Sequence, residues 1–420
     1  MKLKDCAAFV GIDWADQEHA VCLIDSEMQT PELSVLAQDA EAIDEWVAEL
    51  QRRYPGQKVA VCLEQKKGAL VYALMKFDCL MLVPINPKQL SRFRDAMGPS
   101  GAKDDPRDAS LLAELLMKHS EHLRAWLPDN VETRRIRLLG EDRRNLVDAR
   151  TALTNRLKSL LKQYFPLALL VSGTRIYGEL ACQLLMRYPS LDKLQAASDD
   201  ELGAFYHEHH CYRPQLVAER LQLIRQARPL TTDPAILEAS VLAVEILLKQ
   251  LVTLNQGIDQ YDMRIATGME VHPDASIFES LPGAGAAMAP RLLAAMGSDR
   301  ERLTSAQEVQ QLSGIAPVTK QSGKTCVVHR RWAASKFLRQ TFHEFAAHSI
   351  KHSAWAKAYY DMMRARGNKF QAAVRALAFK WIRIIFRCWK DRTLYDEGTY
   401  LTALLKRQSP ILKHFASSEK

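Results

Sequence analysis

The sequence predicts an α/β domain followed by a remainder that is almost wholly helical, and three observations carry that prediction. Strand-like and helix-like patterns alternate through roughly the first 120 residues. From about residue 129 the apolar spacing becomes helical and stays so. Charge divides along the chain in the same sense: residues 1–128 hold 15 Lys/Arg against 20 Asp/Glu, whereas residues 320–390 hold 16 Lys/Arg against only Glu344 and Asp361. That segregation, within a net charge of +8 over 420 residues, suits an acidic metal-binding domain joined to a module that binds a polyanion, with nucleic acid favoured over a run of solvated helix faces.

The elements follow in order. "AAFVGID" (7–13) and "HAVCLID" (19–25) read as a strand hairpin, "AEAIDEWVAELQRRY" as an amphipathic helix and "KVAVCLE" (58–64) as a buried strand. "GALVYALMKF" continues as helix, "LMLVPIN" as strand and "PKQLSRFRDAM" as helix. Residues 131–164 form one long helical pattern with nine basic residues against four acidic. A second begins at "TDPAILEAS", where Asp233 is an N-cap and Pro234 the first helical residue. Leu237, Val244, Leu251, Ile258 and Ile265 then recur every seven residues, which predicts a coiled coil, within the chain or between subunits. Residues 167–231 read as a small helical insert; 279–324 open a compact, turn-rich unit; two long basic helices, 333–364 and 369–391, follow before a short tail. The domain limits expected are thus 1–128, 129–270, 271–391 and a tail, 392–420.

Composition narrows the classes further. A hydrophobic content of 47% and charged content of 25% are those of a globular protein, and no apolar run is long enough to cross a bilayer. The start reads as a folded strand, not a signal peptide. Eight scattered cysteines without a CxxC pair suggest a reducing, cytoplasmic compartment. "HEHHC" (207–211) is too crowded for a zinc site.

The chemistry rests on carboxylates. Asp13 ends the first strand, Glu64 ends "KVAVCLE", and Asp105 and Asp108 lie three apart at the start of "DPRDASLLAELL". Two residues three apart on a helix sit about 5–6 Å from each other, and Leu112 and Leu115 continue the face of Asp108 toward the sheet. Four gathered carboxylates cannot all stay ionised without cations, and an all-oxygen set suits Mg²⁺ or Mn²⁺, two of which can hold a scissile phosphate. Asp105-Pro106-Arg107-Asp108 alone also fits N-cap to N3 of an ordinary helix. The order of all four acids is the layout of a ribonuclease-H-like nuclease fold.

With those residues, "FVGIDWADQEHAVCLID", "VCLEQKKGALVYAL", "INPKQLSRFR", "AKDDPRDASLLAELL" and "LTNRLKSLL", the chain resembles the amino-terminal half of the DEDD insertion-sequence transposases, the family that includes the Piv/MooV-like recombinases. "LPGAGAAMAPRLLAAMG", "AQEVQQLSGIAPVTKQSGK" and the basic helices resemble its carboxy-terminal domain, so the likeness spans residues 1–164 and 279–365. The resemblance implies a RuvC-like domain whose Asp13, Glu64, Asp105 and Asp108 bind metal, with Asp104 where the family often has Thr or Ser. It implies that Ser322, in "GIAPVTKQSG", is a nucleophile forming a phosphoserine with DNA; Ser313 is the competing candidate, better placed for capping. Lys320, Lys324, Arg330, Arg331, Lys336 and Arg339 would then hold nucleic-acid phosphates. It further implies donor and target DNA as substrates, a structured bridge RNA, and dimers pairing into a tetramer. "LPGAGAAMAP" reads as a glycine turn entering a helix, which binds DNA backbone or simply packs tightly. The alternative function is a RuvC-like structure-specific endonuclease using water as nucleophile. A sugar-kinase reading of "GIDWA" lacks a glycine-rich partner loop, and a non-catalytic scaffold predicts indifference to neutralising Asp13 or Glu64.

Overall fold

The computed structural model describes residues 2–65, 67–97, 104–323 and 325–411, which form two compact units, Met1–Pro128 and Asp129–Lys420. In the first, strands β1 (Ala8–Asp13), β2 (Glu18–Asp25), β3 (Pro31–Ala37), β4 (Val59–Leu63) and β5 (Leu80–Pro84) make one sheet in the order β3-β2-β1-β4-β5. β1, β2 and β3 are antiparallel neighbours, while β4 and β5 run parallel to β1. The helices are α1 (Ala40–Arg53), α2 (Ala69–Leu74), α3 (Pro87–Met97) and α4 (Asp105–Lys118). Period-2 alternation sends Val10, Ile12, Val21, Leu23 and Val61 to the face covered by α1 and α2, and Phe9, Ala60 and Cys62 to the face covered by α3 and α4.

β3 has no counterpart among the expected elements. Leu33 and Val35 are exposed along this edge strand and only Leu36 is buried, so the brief alternation of Glu32-Leu33-Ser34-Val35 marks no buried face.

α4 lies unusually close to β1. A β-carbon on Gly11 would stand 2.0 Å from the Ala109 carbonyl oxygen and 2.5 Å from the Ala113 nitrogen, so the helix rests directly on the glycine backbone. Later residues of α4, Leu112, Leu115 and Leu116, share a core with Leu3, Cys6 and Phe9 at the beginning of β1. The helix therefore runs antiparallel to the strand, and its first turn lies over the strand's carboxyl end.

The second unit is built on α5 (Val131–Tyr164). Five short helices follow it, α6 (Ala168–Val171), α7 (Glu179–Arg187), α8 (Leu191–Ala196), α9 (Asp199–Glu208) and α10 (Pro214–Gln226), and then α11 (Pro234–Glu270). Asp233 caps α11 through the Ala235 and Ile236 N–H groups, with Pro234 first in the helix. Val244, Leu251, Ile258 and Ile265 of the heptad seam are buried. α5 and α11 are antiparallel partners within the chain: Arg143 pairs with Asp262, Arg150 Nη1 donates to Asn255 Oδ1 at 3.0 Å, and Gly268 lies against Ile136. The five short helices pack on one end of this pair. His207 of α9, and His209 and His210 in the turn after it, engage aromatic rings, Phe205 and Tyr212.

The other end joins α12 (Ala275–Glu279), α13 (Gly285–Met296), α14 (Ala306–Leu312), a two-stranded hairpin of β6 (Val318–Ser322) and β7 (Thr325–His329), and then α15 (Lys336–Ser349), α16 (Ala354–Ala365), α17 (Phe370–Asp391) and α18 (Glu397–Lys406). Three findings correct the sequence expectations here. The helix expected over 333–364 is two, broken where Ser353 caps α16 through the Ala356 N–H. The break is filled by His352, whose ring would meet a β-carbon on Gly283 at 2.7 Å, so the glycine turn before α13 is a packing turn. Of the expected tail, the described residues from Tyr395 to Ile411 pack on the core: Tyr395 accepts the Trp355 indole N–H at 2.8 Å, and Tyr400 lies against the same Trp355 ring.

Gly11→Ala is expected to lower the stability of the first unit by about 2 kcal/mol, the usual range for over-packing, because backbone cannot yield as a side-chain tip can. Urea unfolding of the purified protein, followed by circular dichroism, measures it; an unchanged midpoint would mean that α4 does not sit on β1 as described.

Candidate active site

Asp13 is the last residue of β1, and Glu64 directly follows β4. Ile12 is paired with Leu63 in parallel register, so the two acids leave adjacent strands, about 4.8 Å apart, at the same edge. Pleat parity places Asp13 with Phe9 and Gly11, and Glu64 with Ala60 and Cys62, on the face that α4 covers.

Asp108 enters that face from above. It is only 2% exposed in the first turn of α4, immediately before the Ala109 that rests on Gly11. Its carboxylate takes a two-pronged ion pair from Arg94 of α3: Nε donates to Oδ1 at 2.8 Å and Nη2 donates to Oδ2. Asp108 is therefore not a helix cap. The N-cap position falls on Asp104, one residue earlier than the capping alternative requires, and the Asp104 carbonyl accepts the Asp108 N–H. Asp105 is exposed on the outer side of the same turn. The structure thus brings Asp13, Glu64 and Asp108 to one edge of one face and leaves Asp105 at its rim. With the side chains so arranged, no three His, Cys, Asp or Glu groups among the described residues surround a single point closely enough to hold one ion.

One residue that sequence reasoning missed is His19. It is fully buried; its Nε2 donates to Gln38 Oε1 at 2.6 Å and its Nδ1 accepts the Ala15 N–H at 3.2 Å. Those bonds require the neutral ring with the proton on Nε2, and burial, the main cause, pushes its pKa below the ordinary histidine value. The ring pins the turn that follows Asp13. In sequence the only signal is a polar residue inside an apolar strand pattern.

The remaining expected residues lie in the second unit. Ser322 ends β6 and is exposed, in register with Thr325 across a turn begun by Gly323 at φ +54°, a positive φ that glycine adopts freely in two-residue hairpins. Lys320 is exposed on the same strand, Arg330 lies over the Trp332 ring at 5.1 Å, and Lys336 opens α15. Lys324 falls outside the described residues. Ser313, by contrast, is fully buried, and its hydroxyl donates to the Gln310 carbonyl, as a helix-end residue does.

Arg375 adds a cation there, and the crowding is felt by the neighbouring His343 ring, which it helps keep neutral. Burial, and then Arg330 and Arg339, push the Arg375 pKa down, and burial lowers that of His343, with Arg375 and Arg330 adding to it. The nearest acid, Glu344, is already engaged by Arg144 at 3.1 Å and Arg291 at 2.5 Å. Among the described residues no carboxylate pairs with Arg330, Arg339 or Arg375. Crowded like charges of this kind favour an added polyanion. Arg375 was hidden in the sequence because it sits within the apolar helix run "FQAAVRALAF".

Comparison with known proteins gives two family matches. A family described as transposase matches residues 10–166, and the transposase IS116/IS110/IS902 family matches residues 275–361. The protein named as the transposase of the IS117 mini-circle of Streptomyces coelicolor is 28% identical over 404 residues, spanning 95% of this chain and 97% of its own. An insertion element IS900 protein of Mycobacterium paratuberculosis is 26% identical, spanning 94% and 98%. An IS116 protein of Streptomyces clavuligerus is 24% identical, spanning 96% and 99%. No helix among the described residues is long and apolar enough to cross a membrane.

Protonation of His19 would put a second N–H where the Ala15 N–H now donates. Its folded pKa lies below the unfolded value of 6.5, so its contribution to stability is full above about pH 6.5 and is lost as the pH falls from there toward the folded pKa. The difference in urea midpoint between wild type and His19→Ala should therefore be largest near pH 8 and shrink below pH 6. A difference that is flat across that range would show the ring is not held neutral.

Proposed function

From its matches to two transposase family models and its likeness to the IS117 protein, we propose that this chain is a transposase of the IS110/IS116 family that cuts and exchanges DNA strands with a divalent-metal carboxylate centre in a ribonuclease-H-like first unit and with Ser322 as nucleophile. The observation that carries the reading is the convergence of Asp13, Glu64 and Asp108 on one edge of one sheet face. The sheet order β3-β2-β1-β4-β5, with an antiparallel meander running into parallel strands, supports the fold assignment.

The donor chemistry fits the metal. Asp13, Glu64 and Asp108 offer only hard carboxylate oxygens, which suit Mg²⁺ or Mn²⁺, and Asp108 is buried deeply enough to demand a cationic partner. Asp105, at the rim, is the fourth acid of the set. When bound, the ion supplies electrostatic stabilisation to the phosphate oxygens in the transition state. The chain's own part is to hold the acids in register through β1 and β4, to fix the turn after Asp13 through His19, and to bury one carboxylate under α4.

Ser322 acts as an exposed hydroxyl on a hairpin end. Its oxygen attacks phosphorus, forming a phosphoserine as the bond to the leaving deoxyribose oxygen breaks; the hydroxyl proton passes to a base and the leaving oxygen takes one up. Arg330, Arg339 and Arg375, with Lys320, Arg331 and Lys336 around them, neutralise phosphates of the strand. The proposal includes a structured guide RNA held by its backbone, with donor and target chosen through base pairing, and dimers pairing into a tetramer. What supports these two is the resemblance of the motifs and the excess of basic charge over residues 320–390.

The test is incubation of the full-length protein with supercoiled donor and target DNA and Mg²⁺, with and without RNA from the element's flanks, analysed on denaturing gels for protein attached to a DNA end. Ser322→Ala should abolish the adduct and cut strand exchange at least about a thousandfold, and Asp13→Asn should abolish cleavage. Unimpaired cleavage by Ser322→Ala would replace the serine with water as nucleophile.

A further inference from the structure

We propose that Arg94 is a built-in competitor of the metal: it occupies the Asp108 carboxylate with both prongs of its guanidinium, so that loading the centre requires the Arg94–Asp108 pair to open. The inference rests on the metal reading of Asp13, Glu64 and Asp108 given above and adds a residue and a step to it.

Arg94 lies in the last turn of α3, and its side chain is only 18% exposed where it meets Asp108. Nε and Nη2 engage one carboxylate oxygen each, the fork geometry that matches guanidinium to carboxylate. Each Asp108 oxygen thus has a cationic donor along a lone-pair direction that a metal ligand bond would need. The fork takes one of the two lone pairs on each oxygen and fixes the carboxylate toward α3, so an ion beside Asp13 and Glu64 has to compete with it; no three-ligand cluster is formed among the described residues.

Sterics say which group must move. Asp108 is anchored: Ala109 is pressed onto Gly11, and the Asp108 N–H is bonded to the Asp104 carbonyl. Arg94 is a long side chain in the last turn of α3, whose backbone is held by buried Leu90 and by Phe93 packed on the same core and edge-on to His119, so it can swing away by side-chain rotation alone. Opening the pair by moving Arg94 disturbs little, whereas moving Asp108 means lifting α4 from the sheet. The arginine also matches the electrostatic need. A buried carboxylate without a cation is costly, so the guanidinium keeps the acidic edge folded until a cation of higher charge replaces it, and the displaced guanidinium is then free for another anion.

Calorimetric titration with Mn²⁺ of the full-length wild type, Arg94→Gln, Arg94→Lys and Asp13→Asn tests this. Arg94→Gln is expected to bind Mn²⁺ at least about tenfold more tightly than wild type, in line with the loss of charge-assisted bonds. Arg94→Lys, with one prong, should fall between them. Thermal melting should show Arg94→Gln less stable than wild type in EDTA and stabilised more by Mn²⁺. Equal or weaker Mn²⁺ binding by Arg94→Gln, with binding still lost in Asp13→Asn, would overturn the competition while leaving the metal centre standing. No Mn²⁺ binding in wild type or in either Arg94 variant would overturn the metal reading itself. Should Arg94→Gln fail to fold, Arg94→Lys decides the matter by the same comparison.

Discussion

The contact on which the first unit depends is the seating of α4 on the bare backbone of Gly11. A side chain there would hold the helix off by the width of a methyl group or more. Its absence, with Ala109 and Ala113 facing it, lets helix and strand meet backbone to backbone. That closeness fixes where the first turn of α4 can be, and hence where Asp108 stands relative to the ends of β1 and β4. The catalytic reading is therefore a consequence of packing: small residues set a distance, and the distance sets which charges are neighbours.

Once Asp108 is seated, electrostatics dictates the rest. A carboxylate 2% exposed and close to two more strand-end acids is tolerable only with compensating positive charge. Arg94 supplies it from α3. The second unit shows the opposite imbalance. Glu344 is shared by Arg144 and Arg291, which leaves Arg330, Arg339 and Arg375 beside one another with no acid paired to them among the described residues. One unit gathers acids at a sheet edge, and the other sets arginines beside one another; the metal centre and the phosphate grip proposed above are readings of these two opposite imbalances.

How far the sequence foretold this differs by element. β1, β2, β4 and β5 were legible because their apolar runs are buried on both faces, and α4 because its leucines keep helical spacing. β3 was not, since its alternation is only four residues long and its Leu33 and Val35 face solvent, not a core. The seam of α11 was visible every seven residues, but its partner was not: only the structure shows α5 lying against it, through Ile136, Arg143 and Arg150. At the candidate site the acids could be named in order, yet what each touches could not. The Arg94–Asp108 pair joins residues 14 apart on separate helices, and no local pattern encodes such a pair. His19 and Arg375 were hidden for a shared reason: each is a polar residue in an apolar run, where burial alone reveals what it does.

The second unit repeats the logic of close packing on a larger scale. α5 and α11 form a shaft with a separate hydrophobic core at each end: one takes in the five short helices, and the other takes in α12 to α18. The second core is dominated by Trp355, Trp381 and Trp389, all fully buried, and each indole N–H finds an acceptor: Tyr395 OH, Ser349 Oγ and the Gly297 carbonyl. The Trp381 and Trp389 bonds fix α17 against α15 and the end of α13, and the Trp355 bond ties α16 to the segment that follows α17. Arg375 and Trp381 share α17, so the same bonds that lock the core also hold the unpaired arginine in place. An arginine on a mobile loop could turn away from its like-charged neighbours at little cost. One carried on a helix locked by the Trp381 and Trp389 bonds cannot, and the repulsion it maintains is available to any polyanion that relieves it.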